Sequence, residues 1–308
     1  MKIMKTAAMR LLILAALFWP INFLAEAATL KLTCSAKDTI ANALKKLKPG
    51  DTLLVSGTCN ENVEIPFEAA RITLDGHGKA TIKGPDSSVP TVTVRGRGIT
   101  IKGFVITGGR EGIQVPGGGE ALIDGNTIER VGRFGIQVNR GSSGVIVNNT
   151  IRNSTGQGIT IGGSSYALIG IRSGLDKTAS PNTVENNGGN GINVGRSASA
   201  RIVGNTIRNN KGSGVNVARA SQADVSHNTI DGNAQDGISV TQNSSLSLGV
   251  GTGTGIFDQP NTTGSPNGGV GVRCTRNSSV DGRLGNLNGS KGAREFEASC
   301  SDSTAPGT

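Results

Sequence analysis

Two short motifs recur along this chain and stay in step with each other. Gly-Ile-x-Val, or a close variant, starts at Gly112, Gly135, Gly158, Gly191, Gly214 and Gly237, at steps of 23, 23, 33, 23 and 23 residues. Asn-Thr-Ile or Asn-Thr-Val starts at Asn126, Asn149, Asn182, Asn205 and Asn228, at steps of 23, 33, 23 and 23. The chain is therefore one repeating unit interrupted by a single ten-residue insertion. Within a unit the apolar residues alternate over short runs, as in Ile136 and Val138, and glycine, asparagine or serine falls between the runs. Period two with turn punctuation means short strands. The unit is too short for a propeller blade and has no room for an ordinary helix, so each unit is one coil, stacked on the next as parallel strands about 4.8 Å apart.

Stacking turns equivalent positions into columns. Ile136, Ile159, Ile192, Val215 and Ile238 form one apolar column, Val138, Ile161, Val194, Val217 and Val240 a second, and Ile128, Ile151, Val184, Ile207 and Ile230 a third. These columns are the expected core. The asparagines of Asn-Thr-Ile form an amide ladder at a bend, a structural role. Glu129, Arg152, Glu185, Arg208 and Asp231 fall in one column with alternating charge, which predicts ion pairs between coils and not catalytic acids.

The open ends of such a solenoid need covers. Ile40, Ala43, Leu44 and Leu47 have helical spacing before Pro49-Gly50, which predicts a cap helix over about 38–47. Regular coils are expected over about 112–245, and a C-terminal cap over about 273–300 around Phe296. Cys34 and Cys59 lie 25 residues apart, Cys274 and Cys300 lie 26 apart, and each separation is about one coil. Stacking brings such pairs within disulfide range, so these two pairings are preferred. With no CxxC and only two histidines, zinc is not expected.

Lys2, Lys5 and Arg10, the apolar run 11–19 and the small-x-small segment Ala25-Glu26-Ala27 have the form of a removed signal peptide, residues 1–27, ahead of one domain over 28–308. Against a membrane anchor, Pro20 and Asn22 break the run short of the roughly 20 residues a span needs. No later segment is apolar enough to cross a membrane, so a periplasmic or extracellular location is expected. Removing the peptide takes away three basic residues and one acidic one, lowering the formal charge from +9 to +7. A charge of that sign favours polyanionic partners.

Lys48-Pro49-Gly50-Asp51-Thr52-Leu53, Ile72-Thr73-Leu74-Asp75-Gly76-His77-Gly78, the segment 99–106 and the Asn-Thr-Ile coils resemble the pectin-lyase-like superfamily. The resemblance implies an all-β, single-stranded, right-handed parallel β-helix of about ten coils. It covers nearly all of 28–308 and implies little about activity, since that superfamily holds lyases, hydrolases, epimerases, tailspikes and adhesins. The acidic calcium ligands of its pectate lyases are not matched: the corresponding outward column reads Gln114, Gln137, Thr160, Asn193, Asn216 and Ser239. No metal and no cofactor is expected. Gly76-His77-Gly78 matches one polygalacturonase motif, but without its acidic companions it reads as a tight turn.

Two surfaces carry functional expectations. Arg140, Arg196 and Arg219 share one turn position beside Gln137, Asn193 and Asn216, with Arg110 and Arg133 at the opposite turn. Bidentate arginines along a polar ladder suit the carboxylates or sulfates of an extended glycan. The other surface lies between the loops 170–181 and 249–260, three coils apart, where Arg201, Asp224 and His227 offer weak candidates for acid/base chemistry. Few aromatics and an extracytoplasmic location argue against nucleic acid. The leading expectation is a non-catalytic binder of an acidic polysaccharide or cell-surface glycan. A polysaccharide lyase or glycoside hydrolase, and a structural envelope component, are the alternatives.

Overall fold

The computed structural model describes residues 27–249 and 255–305. The expected signal peptide, apart from Ala27, lies outside the described residues. Among those described, no helix is long and apolar enough to cross a membrane. The chain winds as a right-handed parallel β-helix of about 12 turns, two more than the repeats alone predict. The extra turns are the incomplete ones at the ends: the strands Thr29–Thr33 and Ser301–Ala305 pair with their neighbours in one sheet. The other sheet has ten strands and starts at Val63–Ile65.

One turn shows the plan. Ser143–Val147, Thr150–Arg152 and Ile159–Gly162 form its three sides. The first two sides belong to an eighteen-stranded sheet bent at Asn149, the third to the ten-stranded sheet. All strand pairings between turns are parallel, and they place the three apolar columns in register: Ile136 on Ile159, Val138 on Ile161, and Ile128 on Ile151. Every member of those columns is buried.

The two motifs keep phase because they interlock. A Cβ on Gly112, Gly135, Gly158, Gly191 or Gly214 would overlap a branched methyl of the Asn-Thr-Ile or Asn-Thr-Val side chain one turn on: Ile128, Ile151, Val184, Ile207 and Ile230 respectively. Glycine is the residue that lets the ten-stranded sheet start this close to the core.

Each of the three corners is closed by a ladder of buried side chains. In the expected one, Asn205 Nδ2 donates to the Ile169 and Val203 carbonyls and to Asn228 Oδ1, while Asn205 Oδ1 accepts from the Asn182 backbone and side chain. A second amide ladder, Asn187, Asn210, Asn233 and Asn267, does the same at the next corner. At the third corner serine hydroxyls accept from the backbone one turn back, as Ser244 Oγ does from Ser221 and Ser278 Oγ from Ser244. The residue just before each first-ladder asparagine adopts positive φ: Gly125, Asn148, Gly204 and His227. Pro181 and Pro260 stand at that place in the other two turns. Proline's φ is locked near −65°, so those two turns cannot use the tight corner and are the ones that carry long loops.

The charged column forms discrete pairs. Arg152 contacts Glu129 at 2.8 Å and Arg208 contacts Glu185 at 2.8 Å. Asp231 instead accepts from the backbone of Gly264 and Ser265. At the front the helix is Ile40–Leu44, shorter than its apolar spacing implies, with Thr39 as N-cap. Glu61, one turn on, accepts from the Ile40 and Ala41 amides, and Ile40 is fully buried over the first coil. Both expected disulfides are present, Cys34–Cys59 and Cys274–Cys300, with Cα atoms 5.1 and 6.2 Å apart. Past Val272 the stacking continues through Ser279–Arg283 and Arg294–Phe296 to Ser301–Ala305.

Asn205→Ala strips partners from buried backbone groups and is expected to cost about 3 kcal/mol in equilibrium denaturation. Arg208→Ala, which removes a half-exposed ion pair, should cost less than about 1 kcal/mol. Gly214→Ala drives a methyl into Ile230 and is expected to destabilise by about 1–3 kcal/mol in the same measurement.

Candidate functional site

The outer face of the ten-stranded sheet presents two parallel columns. The first runs Gln114, Gln137, Thr160, Asn193, Asn216 and Ser239, aligned by strand register. Gln114 Nε2 donates to Gln137 Oε1 at 2.7 Å, and Asn216 Nδ2 donates to Asn193 Oδ1 at 2.8 Å. The amide chain breaks at Thr160, whose buried Oγ1 has no partner, and the neighbouring Asn139 Oδ1 is also unpartnered. The second column is mostly small: Pro116, Asn139, Gly162, Gly195 and Ala218. This face is thus a flat, uncharged strip with a shelf of small residues along one side.

Beyond that shelf lies the corner with Arg140, Arg196 and Arg219. All three are exposed, and none forms an ion pair among the described residues. The corner continues to Arg276, whose turn position the 23-residue step hides behind a 34-residue interval. Arg140, Arg196, Arg219 and Arg276 have φ of 57, 60, 60 and 53°. Gly163 occupies the same place in the turn between Arg140 and Arg196, with φ of 60°. A left-handed backbone costs a side-chain-bearing residue of order 1 kcal/mol, so arginine here is held at a conformational cost glycine avoids. From Arg140 to Arg276 is five turns, about 24 Å at the spacing of stacked strands.

The opposite edge of the strip is different. Glu111 is fully buried and takes Arg110 at 2.9 Å and Arg133 at 3.7 Å, and Arg133 also lies over the Phe134 ring at 4.3 Å. Those two arginines share one carboxylate and are partly compensated where they stand. At the C-terminal end of the strip Arg273 bridges Asp236 at 2.8 Å and Glu295 at 2.6 Å. The hydrogen bond that Arg273 donates to Asp236, with help from Glu295, pushes the guanidinium further above its ordinary pKa. That arginine is fixed as a cation and is unsuited to abstracting a proton.

On the eighteen-stranded sheet, Arg201 and Asp224 pair in adjacent strands at 3.1 Å. Phe257 from the loop 249–260 lies under the Arg201 guanidinium at 4.9 Å, and Gly174 of the loop 170–181 stands close to it. Residues 250–254 of the second loop lie outside the described residues. Ile171 of the first loop is buried with Leu168 and Val203, and Ile256 and Phe257 of the second pack on the same cluster. Arg201, Asp224, Ser247, Phe257 and Asp258 line a depression of about 340 Å³. His227 is not part of that lining: it is an exposed corner residue with φ of 57° whose N–H donates to the Gln259 carbonyl. The structure therefore joins Arg201 to Asp224 and leaves His227 at a corner. His77, expected in a tight turn, is an exposed residue within the strand Thr73–Gly84, at the irregularity after Asp75, with φ of 50° and its backbone N–H donating to Asp75 Oδ1.

Among the described residues, Cys34, Cys59 and Glu61 form the one cluster of metal-ligand type. Its cysteines are bonded to each other and its carboxylate is spent on helix amides, so the donor set does not fit a cation.

The comparisons with known proteins concern the whole solenoid. A family model for the right-handed β-helix region matches residues 67–173 and 90–250. No curated protein matches significantly. Solved structures with a similar chain path include the pectate lyase Pel9A, at 15% identity and TM-score 0.56, over 86% of this chain and 78% of that one. A double mutant of the periplasmic alginate epimerase AlgG is similar at 14% identity and TM-score 0.53, over 91% and 73%. The enzymatically active domain of Bacteriophage CBA120 tailspike protein 2 is similar at 12% identity and TM-score 0.61, over 90% of this chain and 47% of that one. At these identities the likeness is one of fold.

Replacing the unpartnered Thr160 hydroxyl by a methyl removes a buried polar atom without changing shape. Thr160→Val is expected to leave the melting temperature unchanged or slightly raised in a thermal scan.

Proposed function

The chain belongs to the right-handed β-helix family within the pectin-lyase-like superfamily, and from that premise we propose that it holds an acidic polysaccharide or cell-surface glycan along the outer face of its ten-stranded sheet, without cleaving it. The observation that carries the reading is the row of exposed arginines without ion pairs, Arg140, Arg196 and Arg219, extended by Arg276, beside an uncharged amide strip. Such arginines meet carboxylates or sulfates in bidentate fashion. The small residues Gly162, Gly195 and Ala218 leave room for a chain to lie between the arginines and Gln137, Asn193 and Asn216. The fold is shared with a pectate lyase and an alginate epimerase, proteins named for acidic polysaccharides, which supports the choice of ligand class. Two disulfides support residence outside the cytoplasm. Secretion past the membrane belongs to the proposal.

A second reading rests on the Arg201–Asp224 pair beside Phe257: a lyase or hydrolase acting between the two loops. The pairing speaks against it, because the Asp224 carboxylate already accepts from the Arg201 guanidinium and is not free to meet a substrate proton. A structural envelope component is the third reading.

The test is retention in gels containing a polyuronate or a sulfated glycan, run beside light scattering of the same polymers. Wild type should be retained with affinity that falls as salt rises. Replacing Arg140, Arg196 and Arg219 together by Gln should abolish retention while leaving the melting temperature within about a degree, since the substitutions lie on the surface. Retention unchanged in that variant would remove the arginine face as the site. Shortened polymer chains would instead establish an enzyme, and loss of that activity in Asp224→Asn but not in His227→Ala would place the chemistry between the loops.

A further inference from the structure

The outer face of the eighteen-stranded sheet is polar over most of its length, but not in its middle. There Leu122, Val145 and Leu168 point outward from three successive strands in register. Continuing the same column, Arg201, Asp224 and Ser247 are polar. The three apolar residues form part of the lining of a trough of about 330 Å³, walled by Tyr166, which is 43% exposed, and with Glu120 exposed at its rim. In the other regular turns the place of Tyr166 is held by serine, glutamine or glutamate: Glu120, Ser143, Ser199, Gln222 and Ser245.

The same face also carries a projection. Leu175, at the tip of the loop 170–181, is 91% exposed. The loop beneath it is anchored. Asp176 accepts from the Arg172 amide, the Ser173 amide and the Ser173 hydroxyl. Arg172 reaches back to Asp124 at 2.8 Å, and Ile171 is buried against Leu168 and Val203. Those hydrogen bonds lower the pKa of Asp176 below the usual carboxylate range, so it holds the loop as an anion at neutral pH. A leucine presented to solvent by a braced loop is a knob, and a trough lies on the face from which it projects. Leu168 belongs both to the anchor of the knob and to the lining of the trough.

We propose that this face pairs with a second copy of the chain, the Leu175 tip of each protomer entering the Leu122–Val145–Tyr166–Leu168 trough of the other. Knob and hole on one face of one chain meet reciprocally across a two-fold axis, which closes at the dimer. The charges agree with that partner: exposed Lys177 lies two residues from the knob, and exposed Glu120 lies at the rim of the trough. Neither makes an ion pair within its own chain among the described residues. The contact uses the outer face of the eighteen-stranded sheet, which begins just past the arginine corner: Arg140 lies three residues before Ser143, itself part of the trough lining.

Sedimentation velocity of the purified protein over a concentration series reads this directly. Wild type should associate reversibly to a dimer. Leu175→Asp should weaken association at least about tenfold, the change that accompanies loss of roughly 1.4 kcal/mol, without lowering the melting temperature. Tyr166→Ser should weaken it by altering the trough alone. Glu120→Lys should weaken association, and Glu120→Lys with Lys177→Glu should restore it. Monomeric behaviour at every concentration overturns the proposal, and so does a dimer unaffected by Leu175→Asp and Tyr166→Ser. Because the arginine row is left intact in all these variants, their retention on an anionic glycan reports separately on the binding face.

Discussion

The interaction on which everything else depends is the stacking of one turn on the next, and what makes the stacking one-valued is the closure of the corners. A β-helix strand has its partners above and below, so the backbone along each flat side is satisfied automatically. At a corner the chain changes direction and the ladder of strand hydrogen bonds lapses. Buried backbone groups left there without partners would each cost on the order of 1–3 kcal/mol. Side chains of the neighbouring turn fill the gap: asparagine at two corners, as Asn205 does for Asn182 and Asn210 does for Asn187, and serine at the third. Since each ladder residue serves a backbone group one turn away, a slip of register would unsatisfy a whole column at once.

That constraint explains where variation is allowed. The ladder residues and the glycines that face Ile128, Ile151 and Ile207 cannot change without cost. The left-handed residue ahead of the first ladder can, within limits, and the chain uses Gly125, Asn148, Gly204 and His227 there. Where proline stands instead, at Pro181 and Pro260, the corner opens into a loop. The two loops that brace Arg201 and form the apolar cluster around Leu168 thus arise from one backbone restriction. Features outside the repeat sit on the scaffold without disturbing it: exposed arginines at one corner, loops at another.

Charge along the strip shows how local pairing decides what a surface offers. Arg133 and Arg140 are seven residues apart and both exposed, yet one faces the buried carboxylate of Glu111 and the other has no ion-pair partner among the described residues. A net positive charge distributed evenly would draw any polyanion weakly. Here the guanidiniums on one edge share a carboxylate and those on the other have none, which gives the face a direction.

The repeat was enough to read the solenoid, its three apolar columns, the first asparagine ladder and both disulfides, because stacking maps residue i onto residue i + 23 and makes spatial neighbours visible as periodic identities. The second ladder, Asn187, Asn210, Asn233 and Asn267, was legible in principle from the same step, but Ser154 and a longer interval before Asn267 interrupt its run. Arg276 was hidden in the same way. The end turns, the extent of the helix Ile40–Leu44, and the division of the charged column into the pairs Arg152–Glu129 and Arg208–Glu185 were not legible, because they lie outside the strict repeat or depend on how far a flexible side chain reaches. The sequence by itself determined the register, since burial of the inward residues on all three sides of every turn admits only one alignment of the apolar columns. Which arginines are spent on Glu111 and Asp236, where His227 points relative to Asp224, and that Leu175 and the Tyr166 trough share a face were decided only by the tertiary structure, because loops and side-chain reach across turns carry no period.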